Sequence, residues 1–593
     1  MENEKIHDIR HSLAHVLAVA VRRIYGAENV KLGIGPVIEN GFYYDFDLGD
    51  IKISEDDLPK IEKEMRKVIA EKQEFIGEEK SLSDAVKWGK SVNQPYKVEL
   101  LSDLEEEGAK ITFYTNGDFT DLCRGGHVEN TGDIPPDIFK LTKVAGAYWR
   151  GSEKNPMLQR VYGVAFELKQ ELKDYLTMLE EAKKRDHRKL GQELELFFFH
   201  KTSPGMPYWL PNGVTLYNEL INFWRDEHSV RGYQEIVSPI LNKKELYETS
   251  GHFGHYWENM FTTKETDDGE IYGIKAMNCP NAMVVFGSKS RSYRELPLRL
   301  GDTDVLHRFE LSGALNGLFR VREFRQDDAH IFVSEDQIGD EYERIFEITE
   351  RFYSIFGMEY SFRLGTRPDE FMGDAKLWDK AEGILKEILE SNDREYAIEE
   401  GDGAFYGPKI DILMKDALGR SWQMGTIQLD FQQPLRFGLK YVDSDGSEKT
   451  PIVIHRVIYG SLERFIGILI EHTAGKFPVW LSPEQLRIIK VKDDNKEVND
   501  LCDKIMALAR ENRVRIAVDD SNNSVGKKIR DAEVSKIPYS IVVGEKEAES
   551  GMLPLRIRSD LNVNSNSEHI YTPENLIESI ASEMRNRVSR SAL

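Results

Sequence analysis

The chain is 593 residues long and 40% hydrophobic, enough to bury several cores and too long for one, since domains usually run ~100 to 200 residues. Its first residues, MENEKIHDIRH, are charged, and no run approaches the ~18 apolar residues of a membrane span, so neither a signal peptide nor an anchor is predicted and a soluble, cytoplasmic protein is expected. The formal charge of -23 favours solubility and weighs against a polyanionic partner, although local basic patches can hold phosphates on an acidic chain. The three cysteines, Cys123, Cys279 and Cys502, lie far apart, which argues against a disulfide framework and for a reducing compartment.

In chain order, residues 1–165 read as an α+β module, with short strands such as GFYYDFDL and an early helix. His11 and His15 fall on one face of that helix at i and i+4. Together with Cys123 and His127 of DLCRGGH they make an HxxxH and CxxxH pair, a ligand set suited to zinc; histidines that merely cap or pack a helix are the plainer alternative. Residues 166–195 carry apolar residues at helical spacing among dense charges, with no Gly or Pro before Gly191, and predict one connecting helix.

From 196 to 482, strands alternate with helices and Gly/Pro turns, as in a large sheet of mixed topology. LYNELINFWRDEHSVRGYQEIVSPIL predicts a long amphipathic helix and a strand ending at Pro239. HRFELSGALNGLFRVREFRQDDAHIF gathers Arg308, Glu310, Arg320, Arg322 and Arg325 around Phe324, donors for phosphate or carboxylate beside a face for a planar base; a hairpin with solvated charges is the alternative. In IVIHRVIYGSLERFIGILIEH a strand meets Gly460 and then a helix, on which Leu462, Phe465, Ile466 and Leu469 form an apolar stripe that leaves Arg464 off the buried face. Cys279, His330 and His455 are zinc ligand types, but their wide separation does not by itself bring them together. Residues 483–593 read as a βαβαβ unit closed by a helix, a small α/β domain with a largely parallel sheet, in which Cys502 is a buried helix residue.

In order, the helix and strand-Pro, the Arg-x-Glu with its following Phe, and Gly-x-x-Glu-Arg resemble the three signature motifs of class II aminoacyl-tRNA synthetases. AMNCPN, RQDDAHIF, GAFYGPKIDI, GTIQLDF and HRVIYGSLERFIGIL together resemble the threonyl-tRNA synthetases of bacterial type, over nearly the whole chain. The resemblance implies an editing domain over 1–165, a connecting helix over 166–195, a class II antiparallel-sheet catalytic domain over 196–482 and an α/β anticodon-binding domain over 483–593, without the small extra N-terminal domain many bacterial relatives carry.

It further implies threonine activation with ATP and Mg2+, transfer to tRNA(Thr), and a homodimer. Cys279, His330 and His455 would hold one Zn2+ that takes the amino and hydroxyl groups of threonine. Gln326, Asp328, Tyr406 and Gln423 would line the threonine pocket with Lys409 close by. Arg308 would hold the α-phosphate, Glu310 and Phe324 the adenine, and Arg320 and Arg464 the rest of ATP, near Gln423. His11, His15, Lys97, Asp121, Cys123 and His127 would hydrolyse mischarged seryl-tRNA without a metal, and Asn522, Glu547 and Arg556 would read the anticodon. The chain departs from the family at Asn281-Ala282, Glu323 and Arg325, which puts the contacts of the ATP loop in question, and at Ser524, which replaces a lysine usual near the anticodon residues. Rival expectations are another class II synthetase, of prolyl or seryl type, and a catalytically silent RNA-binding paralogue.

Overall fold

The computed structural model describes residues 4–106, 108–152, 154–491, 495–561, 569–588 and 593. Its contacts divide into two units, Met1–Glu180 and Glu181–Leu593. No helix among the described residues is long and apolar enough to cross a membrane.

The first unit is built on α1 (Glu4–Tyr25), a run free of Gly and Pro with Glu4 in its first turn and Arg22 and Arg23 in its last, charges that suit the helix dipole. Every residue from Ser12 to Val21 is buried, so this stretch of the helix is covered all round and central. It packs against β1 (Gly41–Asp47) and α2 (Leu58–Ala70), with Leu13, Leu17, Phe42 and Ile61 in the core. Next come β2 (Ile76–Glu79), α3 (Pro95–Glu106), β3 (Thr112–Asn116) and β4 (Phe119–Leu122), of which the three strands form a small antiparallel sheet. The larger sheet is completed by β5 (Phe139–Tyr148) and β6 (Met157–Ala165), with β6 between β1 and β5. This is the α+β module expected of the N-terminal residues.

The charged stretch over 166–195 is two helices, α4 (Lys169–Arg185) and α5 (His187–Glu193), where one was expected. Asp186 leaves the helical backbone, and its carboxylate accepts the Arg188 N–H at 2.8 Å. A good N-cap residue thus ends one helix and starts the next.

In the second unit α6 (Pro211–Ser229) is followed by β7 (Gln234–Glu235), which stops well short of Pro239. Other elements around the main sheet include α7 (Cys279–Gly287), β8 (Leu298–Asp302), β9 (Val305–His307), β10 (Glu323–Arg325), β11 (Asp328–Val333) and α8 (Ile338–Ser354). They continue with β12 (Glu359–Gly365), β13 (Tyr396–Glu399), β14 (Lys409–Lys415), β15 (Ser421–Asp430), β16 (Ile452–Val457) and α9 (Leu462–Thr473). Eight strands form the sheet in the order β7, β8, β11, β16, β15, β14, β12, β13. The inner pairs are antiparallel; the edge pairs β7–β8 and β12–β13 are parallel.

The register of this sheet decides what shares a face. Leu300, His330, His455, Gln428, Lys409 and Gly365 stand opposite one another across six strands, and directly opposed residues point to the same side. The alternate residues Ile331, Ile454, Ile427, Ile410 and Leu364 turn to the other side, into the core that Tyr342, Ile345 and Phe346 of α8 complete. Residue alternation therefore separates a polar face, which can host chemistry, from an apolar face that holds the sheet down.

The remaining elements are β17 (Leu486–Lys490), α10 (Lys496–Glu511), β18 (Ile516–Asp519), α11 (Val525–Val534), β19 (Tyr539–Val543), β20 (Leu553–Ile557), β21 (Ile570–Tyr571) and α12 (Pro573–Asn586). Only β18, β17 and β19 are mutually parallel; β20 and β21 return antiparallel, so the sheet is mixed where a largely parallel one was expected. The short connection from β19 to β20 leaves room for one turn of helix, Glu545–Ser550, and a hairpin-like return follows. Cys502 is buried on α10, as expected.

Candidate functional site

Cys279 opens α7, and His330 and His455 face each other on β11 and β16. The ligand atoms of all three lie within 4.8 Å of one another, and all three residues are buried. Sequence spacing did not force this meeting; strand register brings the two histidines together, and the first turn of α7 supplies the cysteine. His455 directs Nε2 to the Asp430 carboxylate at 2.9 Å, which leaves its Nδ1 for another partner. The buried Nδ1 of His330 has no hydrogen-bond partner among the described residues. Burial pushes the Cys279 thiol well above its usual range, helped by Asp328 and Asp430, and pushes the His330 imidazole down to about 4. A sulfur, two imidazoles, a carboxylate behind one of them and an unsatisfied ring nitrogen fit zinc with one protein-free position. His252, which the sequence did not single out, places Nε2 3.8 Å from the Cys279 sulfur.

These residues line a cavity of about 350 Å³ with Gln326, Asp328, Tyr406, Lys409, Gln423 and Gln428. The Asn278 amide donates to Asp328 at 3.0 Å and the Tyr406 hydroxyl to Gln428 at 2.6 Å, so the polar groups arrive already oriented. Asp411 organises one wall. Its fully buried carboxylate takes Lys409 Nζ at 3.0 Å, Arg363 Nη2 at 2.9 Å and the Gln423 amide at 2.8 Å. A β-bulge between β14 and β15, where Leu413 opposes Gln423, re-aims that glutamine towards the site.

Arg308, Gln326 and Gln423 also line an adjoining cavity of about 320 Å³ with Glu310, Arg320, Phe324 and Arg464. Three guanidinium groups thus meet one carboxylate among these residues, Glu310 lying 3.9 Å from Arg320. That surplus of positive charge suits an anion. Pairing of β9 with β10 sets Phe324 under Arg308, whose guanidinium carbon is 5.0 Å from the ring centre. Arg464 leaves the apolar stripe of α9 as expected and donates through Nε to the Phe319 carbonyl at 2.9 Å. Burial, then Arg320 and Arg308, push its pKa down. At the entry to α9, Gly460 has φ +73°, and a Cβ there would overlap the Met424 carbonyl. Asp327 pins this turn by accepting the Ile458 and Gly460 N–H groups at 2.9 and 3.0 Å.

The departures in the loop point elsewhere: Glu323 pairs with His307 at 3.0 Å and Arg325 donates to the Thr303 carbonyl at 3.0 Å. Asn281 and Ala282 are buried on α7, where Ala282 packs in a side cluster with Phe286 and Phe332.

In the first unit α1 presents His11 and His15 to Cys123 and His127, which follow β4. All four ligand atoms lie within 4.8 Å. The Cys123 sulfur is 3.3 Å from His11 Nε2 and 3.1 Å from His127 Nε2, and His127 stacks between His11 and Phe75. Burial pushes the thiol up to about 11 and all three imidazoles down. Neutral imidazoles beside a protonated thiol can accept hydrogen bonds from water or from the thiol; the same atoms are also zinc ligand types. Beside them Lys97 Nζ holds Asp121 at 2.7 Å and donates to the Tyr44 hydroxyl at 3.1 Å, and Tyr44 bonds the same carboxylate. His7 joins this cavity of about 620 Å³ and, like Tyr44, was not read from the sequence.

The three C-terminal candidates are not gathered in one pocket. Arg556 on β20 lines a cavity of about 690 Å³ with Lys476, Lys536, Arg558 and His569. Asn522 is exposed after β18 and Glu547 accepts the Gly544 N–H at 3.0 Å, capping the short helix, and neither lines that cavity.

Three family models match the chain: the tRNA synthetase class II core domain (G, H, P, S and T) over residues 261–473, the anticodon binding domain over 485–582, and the threonyl and alanyl tRNA synthetase second additional domain over 111–162. The chain is 50% identical over 552 residues to the threonine–tRNA ligase of Clostridium tetani, covering 93% of this chain and 85% of that protein. It is 49% identical over 579 residues to that of Thermotoga neapolitana, covering 98% and 88%. Among solved structures, the RNA binding domain of threonyl-tRNA synthetase from Cryptosporidium parvum is 40% identical with a TM-score of 0.64, covering 69% of this chain and 99% of that one. The putative threonyl-tRNA synthetase ThrRS-1 of Aeropyrum pernix is 28% identical with a TM-score of 0.59, covering 68% and 97%.

Proposed function

The chain belongs to the threonine–tRNA ligase family, and from that premise we propose how its two sites divide the work. The second unit activates L-threonine with ATP and Mg2+ and passes the threonyl group to tRNA. The first unit hydrolyses mischarged seryl-tRNA. The observation that carries this reading is the pair of adjoining cavities, one ringed by Cys279, His330 and His455 and the other by three arginines, with Arg308, Gln326 and Gln423 common to both. An amino acid held in the first has its carboxylate beside a nucleotide phosphate held in the second.

In the activation step the threonine carboxylate attacks the α-phosphorus of ATP and pyrophosphate leaves. Arg308 stands at the junction and steadies the charge on the α-phosphate; Arg320 and Arg464 hold the leaving phosphates, and Phe324 with Glu310 receives the adenine. Lys409, fixed by Asp411, faces the threonine cavity. In the transfer step a terminal ribose hydroxyl of tRNA attacks the activated carbonyl and AMP leaves. Zinc held by Cys279, His330 and His455 would take the substrate's amino and hydroxyl groups as ligands, so valine, which lacks the hydroxyl, is rejected. Gln326, Asp328 and Tyr406 orient the substrate from the cavity wall.

Serine keeps the hydroxyl and lacks one methyl, a difference worth only ~1 to 3 kcal/mol, so a second, hydrolytic sieve follows. There water attacks the seryl carbonyl and the bond to the tRNA ribose oxygen breaks; the proton that water gives up passes by way of His11, Cys123 and His127 to that ribose oxygen, while Lys97 and Asp121 hold the ester. Asn522, Glu547 and Arg556 contact anticodon bases. Exposed Val237, Ile240 and Leu241 flank Pro239, with Val237 83% exposed, and this apolar patch supports a homodimer.

Amino-acid-dependent pyrophosphate exchange tests the reading. Threonine stimulates exchange, serine does so weakly and valine not at all; stimulation by another amino acid without threonine overturns it.

A further inference from the structure

The break between α4 and α5 turns His187 inward, and its side chain is 1% exposed. Nδ1 lies 2.8 Å from a Glu471 carboxylate oxygen on α9. The carboxylate can only accept, so Nδ1 carries the proton and Nε2 is left as an acceptor. That acceptor takes the N–H of Leu318 at 3.0 Å. The imidazole also lies 4.2 Å from the Phe319 ring.

These contacts fall on the loop that carries Arg320. Leu318 is fully buried, and the Phe319 carbonyl is the group that receives Arg464 Nε. One imidazole therefore anchors the backbone on which two phosphate-facing arginines depend, although His187 does not line the cavity they share. Gly317, with φ +49°, runs so close that a Cβ would overlap His187 Nε2. Asp186, His187 and Glu471 bring ligand atoms together as a metal site would, but Asp186 is taken by Arg188 and Glu471 by Arg420.

We propose that His187 is a positioning residue for ATP: held in one tautomer by Glu471, it accepts the Leu318 N–H and presents Arg320 and Arg464 to the phosphates. This rests on the reading of the three-arginine cavity as the ATP site. A core histidine that only fills space would need the ring's volume and not its acceptor. Asparagine and glutamine separate the two roles, since an asparagine amide reaches the place of Nδ1 and a glutamine amide that of Nε2.

The test is pyrophosphate exchange titrated with ATP and, separately, with threonine, on the full chain with His187→Asn, His187→Gln and, as a control of the site, Arg464→Ala. Loss of the buried bond in His187→Asn is expected to raise KM for ATP about tenfold. KM for threonine should stay unchanged, and His187→Gln should return KM for ATP towards the parent value. An unchanged KM for ATP in His187→Asn, or a failure of glutamine to restore it, overturns the role of His187. If Arg464→Ala leaves KM for ATP unchanged, the ATP-site reading itself fails and the proposal with it; if Arg464→Ala raises it and His187→Asn does not, only the proposal fails.

Discussion

Burial lifts the carboxyl of Glu463 from its usual 4.5 to about 7, even though it receives the Tyr217 hydroxyl at 2.8 Å and the Arg325 N–H at 3.0 Å. Because the folded chain holds this proton more tightly than the unfolded one, its contribution to stability is complete below about pH 4.5 and is lost as pH rises through 7. A glutamine keeps the shape and never ionises. Glu463→Gln is therefore expected to gain on the parent between pH 5 and pH 8, by up to the order of 3 kcal/mol, seen as a rising difference in urea midpoint; a constant difference would falsify the buried-proton account. The trio of Cys279, His330 and His455 is tested by its metal content. Metal analysis should find one zinc per parent chain and none in Cys279→Ala, with threonine-dependent exchange lost alongside. The trio could be named in the sequence only through the wording of whole segments, because nothing in the spacing brings Cys279 to His455. Asp430, Gln428 and His252 were not legible at all: an aspartate behind a histidine is a matter of strand register and loop placement, and neither leaves a local mark.

Periodicity carried most of the elements and failed where a single tertiary contact outweighs it. The helical pattern over 166–195 runs through Asp186 without Gly or Pro to interrupt it, yet the capping carboxylate and the burial of His187 against Glu471 end one helix there. The C-terminal strands alternate with helices up to β19, and only the short return into β20 reverses the direction that alternation suggested. At the entry to α9 the local signal was sound, because Gly460 marks a turn that no side chain fits. Gly460→Ala must give up φ +73° or push Met424 away, at a cost of ~1 to 3 kcal/mol. A melting temperature lowered by several degrees, with a raised KM for ATP as Arg464 shifts, is the expected result; an unmoved KM would detach that turn from the three-arginine cavity. In the first unit the meeting of α1 with the end of β4 is the element that matters. Cys123→Ala should leave threonine charging intact while seryl-tRNA accumulates, measured as the steady level of serylated tRNA, and unaltered clearance would remove the thiol from the hydrolysis.

For the whole chain, composition spoke to class and not to partners. A net charge of -23 argued against nucleic acid, whereas the structure concentrates Lys476, Lys536, Arg556 and Arg558 around one cavity and three arginines around another. Net charge averages over a surface on which phosphate binding is local. The division of labour is instead written in the cores. The first unit closes on Leu13, Leu17, Phe42 and Val161, and the second on a separate set that includes Ile331, Ile345 and Ile454. Two cores that share no residue can melt separately, so scanning calorimetry of the intact chain is expected to show two transitions. Leu17 is fully buried in the first core, and Leu17→Ala should cost ~2 to 5 kcal/mol there. That moves one transition down by several degrees and leaves the other in place. Removing zinc with a chelator should do the reverse, lowering only the transition that Leu17→Ala leaves untouched, because Cys279, His330 and His455 join three segments of the second unit. A single transition displaced by both treatments would mean that the two units fold as one cooperative body.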